Sequence, residues 1–425
     1  MKRLAILILA VFITGFAFGA GSEEQKDMTI VVAGVGVGMG TEEAPSQKMD
    51  LVYSVIMERY PFVTIETIDA DIATGEDVTM LALLAAGTPP DIYTDFEGRA
   101  GKYVTPAFAL PLEVDESLYF GLAKYKRGGK LLALPENSAA QGMVINTSLL
   151  DEIGYTLPDT WTIEDFLGMC AAVKAAGIED VYGTGLFAAN PSADYLWVNW
   201  FASFGITNFF NDDYTRSLAD GPGFLAAWRF FDTLMREGYI HPNAAMWPVS
   251  PDFLGAIGAG TMAAYGARIG WADGMQSGAI ANGKSRTGRY EWIVRQFPSA
   301  DGQAVTIAPA HIAVGHKTDD PVRAEIITEL LLLWTGPEVQ TANTRLSGVP
   351  SRTDVPLSTT MNKGEDFVVD IAQNVGMLDV GFANSWYYET RSAGPKILQP
   401  LLKGDITPEQ AHVMYFELIQ AIIGN

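Results

Sequence analysis

The chain is short of the residues from which most protein chemistry is built. It has one cysteine, Cys170, and four histidines in 425 residues. One cysteine excludes an intramolecular disulfide, and so few thiol and imidazole groups leave no zinc-binding spacing. Cys170 lies in the apolar run Phe166-Leu167-Gly168-Met169-Cys170-Ala171-Ala172-Val173, where a thiol is a small buried hydrophobe rather than a nucleophile. Positive charge is also scarce: 28 Lys and Arg stand against 50 Asp and Glu, a net charge of −22. With no basic run, such a chain repels phosphate backbones and anionic lipid headgroups, so nucleic acid is excluded as a partner. Beyond the first twenty residues no apolar stretch is long enough to span a bilayer. There is no G-x-S-x-G and no H-E-x-x-H. Carboxylate pairs such as Asp212-Asp213 read as solvated loop residues. Nothing calls for catalysis, a cofactor or a metal.

Three near-matches to ligand motifs fail on context. Gly278-Ala279-Ile280-Ala281-Asn282-Gly283-Lys284-Ser285 fits the phosphate-loop pattern G-x-x-x-x-G-K-S, but no strand precedes it and no helix follows. Gly34 to Gly40 follows a strand, yet the third glycine of a dinucleotide fingerprint would fall at Met39 or Thr41. Asp69-Ala70-Asp71 begins like a calcium loop, but Ala73 and Thr74 occupy later ligand and turn positions.

What is present is a globular composition, 48% hydrophobic and 18% charged, in a chain long enough for two domains. Lys2 and Arg3, the apolar run from Leu4 to Phe18, and the small residues Ala17, Gly19 and Ala20 have the order of a cleaved secretory signal, here residues 1–19. Removing those two cations takes the charge from −22 to −24. Short β-branched runs alternate with apolar helical stretches. Strands are expected at 28–33, 62–68, 91–94, 130–135 and 141–146. Helices are expected at 48–60, 78–86, 163–176, 223–236, 321–335 and 408–423, the last capped by Thr407. This alternation predicts an open, mostly parallel α/β sheet, with a helix-rich second half.

Aromatics are the informative residues. Trp197, Trp200, Trp247, Trp271, Trp386, Tyr387 and Tyr388 lie near loop formers or strand ends. Flat rings suit the C–H faces of a pyranose, and Asp, Glu, Asn and Arg suit its hydroxyls. Packing in a core is the competing role for each ring.

Several ordered blocks resemble the family 1 extracellular solute-binding proteins. They are Leu84-Ala85-Ala86-Gly87-Thr88-Pro89-Pro90-Asp91-Ile92; Leu134-Pro135 through Leu157-Pro158-Asp159-Thr160-Trp161; Phe253 to Gly266; Phe297-Pro298 through Gly348-Val349-Pro350-Ser351-Arg352; and Gly404 to Ala411. The resemblance implies a type II periplasmic-binding-protein fold, two α/β lobes, each an open mixed sheet flanked by helices, with ligand in the cleft between them. It places crossovers near Pro135–Gln141, Tyr290–Ile293 and Ala313–Lys317. Lobe one is then 28–136 plus 292–314, and lobe two 137–291 plus 315–425. It implies a ligand site containing Trp386, Tyr195 and Arg99. Arg268 stands where maltodextrin binders carry a second stacking tryptophan, with Trp271 three residues on. Trp197, Trp247, Glu42, Glu97 and Asn137 complete the candidate set.

The function implied is capture of a mono- or oligosaccharide by hinge closure and delivery to the membrane permease of an ABC importer, by a non-catalytic monomer. The signal segment ends without a cysteine, so no lipid anchor is expected, and an unanchored receptor points to a periplasm. Two other functions stay open: a secreted carbohydrate hydrolase or lyase, and a binding protein for a polyamine or polyol.

Overall fold

The computed structural model describes residues 27–34, 49–69, 78–138, 141–159, 161–189, 198–247, 253–268, 271–299, 310–344, 350–356, 380–381, 384 and 386–424. In chain order the strands are β1 (Met28–Gly34), β2 (Val63–Asp69), β3 (Ile92–Phe96), β4 (Lys126–Arg127), β5 (Lys130–Leu131), β6 (Leu134–Ser138), β7 (Gln141–Asn146), β8 (Tyr182–Thr184), β9 (Met262–Arg268), β10 (Trp292–Arg295) and β11 (Ala310–Gly315). They form two main sheets, with order β2-β1-β3-β11-β6 and β10-β7-β9-β8, and a small β4-β5 hairpin.

The first sheet is parallel through β2, β1 and β3 and antiparallel at β11. The mostly parallel sheet expected from the sequence therefore holds on one side only. The reason is topological. β11 enters at the end of the sheet where β3 and β6 leave it, His311 lying opposite both Phe96 and Asn137, so it must run backwards. Gly34 ends β1 with φ +147°, and a Cβ there would overlap the Thr94 carbonyl, so β1 and β3 approach this closely only with glycine. The Pro321–Trp334 helix starts on Asp320, whose Oδ1 accepts from the Val322 and Arg323 amides at 2.9 and 3.2 Å. It buries Ile326, Ile327, Leu330, Leu331 and Trp334 in one core with Ile30, Val32, Ile92 and Val314.

The second sheet is antiparallel except for β8, which runs parallel to β9. Its core holds Phe166, Trp200, Phe201, Phe224, Trp228 and Phe231. The helices around it follow their sequence signals closely. Ile163–Ala176 and Pro408–Ile423 each begin at a capping box, Thr162 with Asp165 and Thr407 with Gln410. Pro222–Arg236 carries Pro at its first turn, where the missing N–H costs nothing. The helix expected from Lys48 is shorter: Met49–Tyr53 is a π turn and the α-helix is Ser54–Arg59. Cys170 is fully buried, burial pushes its thiol far up, and Gly183 crosses it with no room for a Cβ.

β6, of the first sheet, ends at Ser138, and β7, of the second, begins at Gln141. The other two expected crossovers move. β10 stays on β7, with Trp292 opposite Asn146 and Arg295 opposite Met143, so the return comes after Arg295 rather than at 290–293. Residues beyond 315 stay with the first core, because the apolar face of Pro321–Trp334 fits there. Arg352 then ties residues 350–354 to that core: it donates to Tyr119 Oη at 2.9 Å and to both Asp354 oxygens at 2.8 and 2.7 Å.

Candidate functional site

The carboxyl ends of strands from both sheets meet where β6 hands over to β7. On the first sheet, Phe96 of β3, His311 of β11 and Asn137 of β6 lie side by side. On the second, Arg268, the last residue of β9, lies opposite Gln141, the first of β7. Open α/β sheets expose the last backbone groups of their strands along this kind of edge, and loops of different strands converge there.

Charge is buried at this junction in pairs. Asp95, near the end of β3, accepts from Tyr93 Oη at 2.7 Å through one oxygen and from Arg99 Nη2 at 2.7 Å through the other. Tyr93 and Asp95 share a face because strand side chains alternate. Arg99 reaches back from the short Glu97–Ala100 helix, four residues on. Glu97 pairs with Lys124 Nζ at 3.0 and 3.1 Å. On the opposite face of β3, Thr94 donates to Glu136 of β6. Asp95, Glu97, Arg99 and Glu136 are each at most 6% exposed, so the pairs act in a low-dielectric setting where losing one partner is costly. The Arg99 Nε is buried without a hydrogen-bond partner. Burial and then the Glu97 charge push the Tyr125 phenol well up.

The Tyr387–Lys403 helix of the second core comes against the Glu97–Ala100 turn of the first. Trp386 caps that helix without a side-chain hydrogen bond. Its indole is half-buried, 4.7 Å from the Phe210 ring and 6.2 Å from the Tyr214 ring. Its benzo edge lies over Gly381, where a Cβ would fall 2.8 and 2.9 Å from the ring. The sequence candidates Trp386, Arg99 and Glu97 thus stand on elements that touch across the two cores. Trp247 follows the Ala244–Met246 turn, which also contacts the Tyr387–Lys403 helix, and stacks on His241 at 4.3 Å. One face of its ring is therefore already covered. Asn137 is half-buried at the sheet junction, and Arg268 and Trp271 flank the end of β9. Glu42, Tyr195 and Trp197 lie outside the described residues.

Two aromatics leave the candidate group. Trp200 is fully buried against Phe166 and Phe230, both at 4.8 Å, and Tyr387 is 2% exposed. Both are core, because the faces of the helices that carry them turn inward. The phosphate-loop match is the end of the Trp271–Ala281 helix: Lys284 N donates to Ala279 O at 2.8 Å and Gly283 has φ +66°. Carbonyls, not N–H groups, point out of a helix there, so no phosphate is cradled. The reading of the residues missed Asp95, Lys124, Glu136, Phe210 and Tyr214. Only Asp95 left a trace, its spacing of four from Arg99 across a strand end.

Comparison with known proteins bears on the family and the fold. A family model described as bacterial extracellular solute-binding protein matches residues 41–341, well over half of the chain. No curated protein sequence matches. Among similar solved structures, a chitin oligosaccharide binding protein superposes with a TM-score of 0.73 at 17% identity, covering 94% of this chain and 100% of its own. Maltose-bound MalE3 from T. maritima gives 0.72 at 16% identity, with 92% and 99% covered. The substrate-binding protein Lmo0181 from Listeria monocytogenes, solved with cycloalternan, gives 0.71 at 16%, with 93% and 99% covered. The fold is that of the type II periplasmic-binding proteins. Among the described residues no helix is long and apolar enough to cross a membrane.

Proposed function

The chain belongs to the bacterial extracellular solute-binding proteins, and we propose that it is the exported receptor of an ABC importer, holding a mono- or oligosaccharide without altering it. The observation that carries this reading is the meeting of the Trp386-capped helix with the buried pair Asp95–Arg99 and the part-buried pair Glu97–Lys124 across the two cores. A half-buried indole offers one apolar face to the C–H side of a pyranose. Asp95 holds the Arg99 guanidinium in place beforehand, so little side-chain entropy remains to be lost on binding.

In this reading the two cores are the two lobes. Lobe one takes 28–138 and 310–356; lobe two takes 141–299 and 380–424. Ligand held by both lobes favours the closed arrangement over the open one, and a membrane permease distinguishes the two by shape. The receptor is monomeric and works in the periplasm after cleavage of residues 1–19.

The test is a thermal-shift and calorimetric screen over glucose, maltose, maltotetraose, N-acetylglucosamine, chitobiose, polyols and spermidine. A sugar at a hundredfold excess over its Kd is expected to add about 2.7 kcal/mol of stability, and chromatography is expected to return it unchanged. Stabilisation by spermidine alone would replace the sugar with a polyamine, and cleavage of an added glycan would overturn the receptor reading.

A further inference from the structure

Tyr214 occupies a backbone conformation that a tyrosine rarely takes, φ +58°, and only one other non-glycine among the described residues, Asp180, shares a positive φ. The left-handed region crowds a Cβ against the backbone, so glycine or asparagine usually fills it. The turn around it is well supplied with hydrogen bonds. Tyr214 N donates to Asn211 O and Asn211 N to Arg216 O, both at 3.0 Å, while Asn211 Oδ1 accepts from Arg216 N at 2.8 Å. Gln420, near the end of the last helix, clamps the turn from outside. Its Oε1 accepts from Ser217 N at 2.9 Å and its Nε2 donates to Thr215 O at 3.3 Å. The turn would close equally well on asparagine, and Tyr214 adds a ring at the cost of strain.

That ring is half-buried and lies 6.2 Å from Trp386 with the planes inclined at 59°. Phe210 backs both, at 6.1 Å from Tyr214 and 4.7 Å from Trp386, and is itself 3% exposed. Two partly exposed rings inclined on a common buried support present two faces at an angle. One pyranose covers one such face; a second, linked to the first, covers the other.

Building on the sugar-receptor reading, we propose that Tyr214 is a specificity residue which, with Trp386, forms an aromatic corner for two successive sugar units, so that the receptor prefers a di- or longer saccharide to a monosaccharide. The strain at residue 214 is stored where backbone outliers tend to be stored, beside a ligand.

The experiment is calorimetry on the mature full-length chain and its Tyr214→Asn and Tyr214→Phe variants with glucose, maltose and maltotetraose, and with N-acetylglucosamine, chitobiose and chitotetraose. Asparagine fits the left-handed turn and removes the ring; phenylalanine keeps it. Tyr214→Asn is expected to lose about tenfold in affinity for the preferred oligosaccharide, as one aromatic contact supplies, with a change of about twofold or less for its monosaccharide. Its unliganded melting temperature is expected to match or exceed the parent's, and Tyr214→Phe is expected to bind like the parent. If the parent binds an oligosaccharide and Tyr214→Asn binds it equally well, or loses both ligand sizes alike, the corner is wrong while the receptor reading stands. If the parent prefers the monosaccharide, the corner is wrong on that ground alone. If the parent binds none of these sugars, both readings fall.

Discussion

Removing the Trp386 indole separates a ligand anchor from a packing residue, and the surroundings of the ring set the magnitudes. A fully buried tryptophan truncated to alanine costs about 3–5 kcal/mol of stability. Trp386 is only half-buried, stands at a helix cap, and makes no side-chain hydrogen bond there. What it buries is chiefly the benzo edge over Gly381 and one side against Phe210. Trp386→Ala should therefore cost roughly 1.5–2.5 kcal/mol of folding stability, about half the buried figure. Loss of a stacking anchor should cost about 2 kcal/mol of binding, or some 30-fold in affinity. Urea unfolding of the unliganded protein reads the first quantity and calorimetry with the preferred sugar reads the second. Gly381→Ala gives an independent check. It keeps the indole but places a methyl group 2.8 Å from it, at a φ of +81° that alanine resists. Affinity should fall there too, because the ring must tilt. A Trp386→Ala protein with full affinity and stability lowered by 3 kcal/mol or more would refute the stacking role and make the indole a core residue.

Three further outcomes are expected. Asp95→Asn leaves the buried Arg99 guanidinium without a counter-charge and should cost about 3 kcal/mol, read as a lower urea midpoint; an unchanged midpoint would show that Arg99 has another partner in solution. Gly34→Ala should cost about 2–4 kcal/mol, since the added Cβ meets the Thr94 carbonyl at a strained φ, and a midpoint equal to the parent's would contradict the close β1–β3 approach. Hydrogen bonds from Arg286 and Arg352 hold Glu152 and Asp354 below the ordinary carboxylate range. A carboxyl depressed in the folded state adds stability above its unfolded pKa and loses it as pH falls through its folded value. Stability should thus decline below about pH 4, and the Glu152→Gln, Asp354→Asn double variant should decline less steeply; equal slopes would mean that the two ion pairs contribute nothing.

Local signals survived folding and long-range ones did not. Ile163–Ala176 and Pro408–Ile423 have the bounds that their caps announce, because a capping box is settled within four residues. The register of β10 is different in kind. Trp292-Ile293-Val294-Arg295 reads as a strand on either sheet, and its place beside β7 depends on residues some 150 positions earlier in the chain. The same holds for Pro321–Trp334. Its apolar content announces burial, and nothing in its own periodicity says against which sheet.

The site follows the same division. Trp386 and Arg99 stand out because the family resemblance places each of them, outside the quoted blocks, at a position where its relatives carry a ligand residue. Asp95 and Tyr214 do not. An aspartate in a strand and a tyrosine in a loop are individually unremarkable residues, and each acquires meaning only from what folding sets beside it. For Asp95 this is a guanidinium brought back by a one-turn helix. For Tyr214 it is an indole from a segment 172 residues away in sequence, on a turn whose strain would otherwise have no counterpart. Selection on ligand size would act on these late-assembled contacts rather than on the β-strands beneath them. A change at residue 214 alters one face of the corner and leaves every strand register untouched. Two receptors with the same fold and the same Trp386 could thus differ in the length of saccharide they hold.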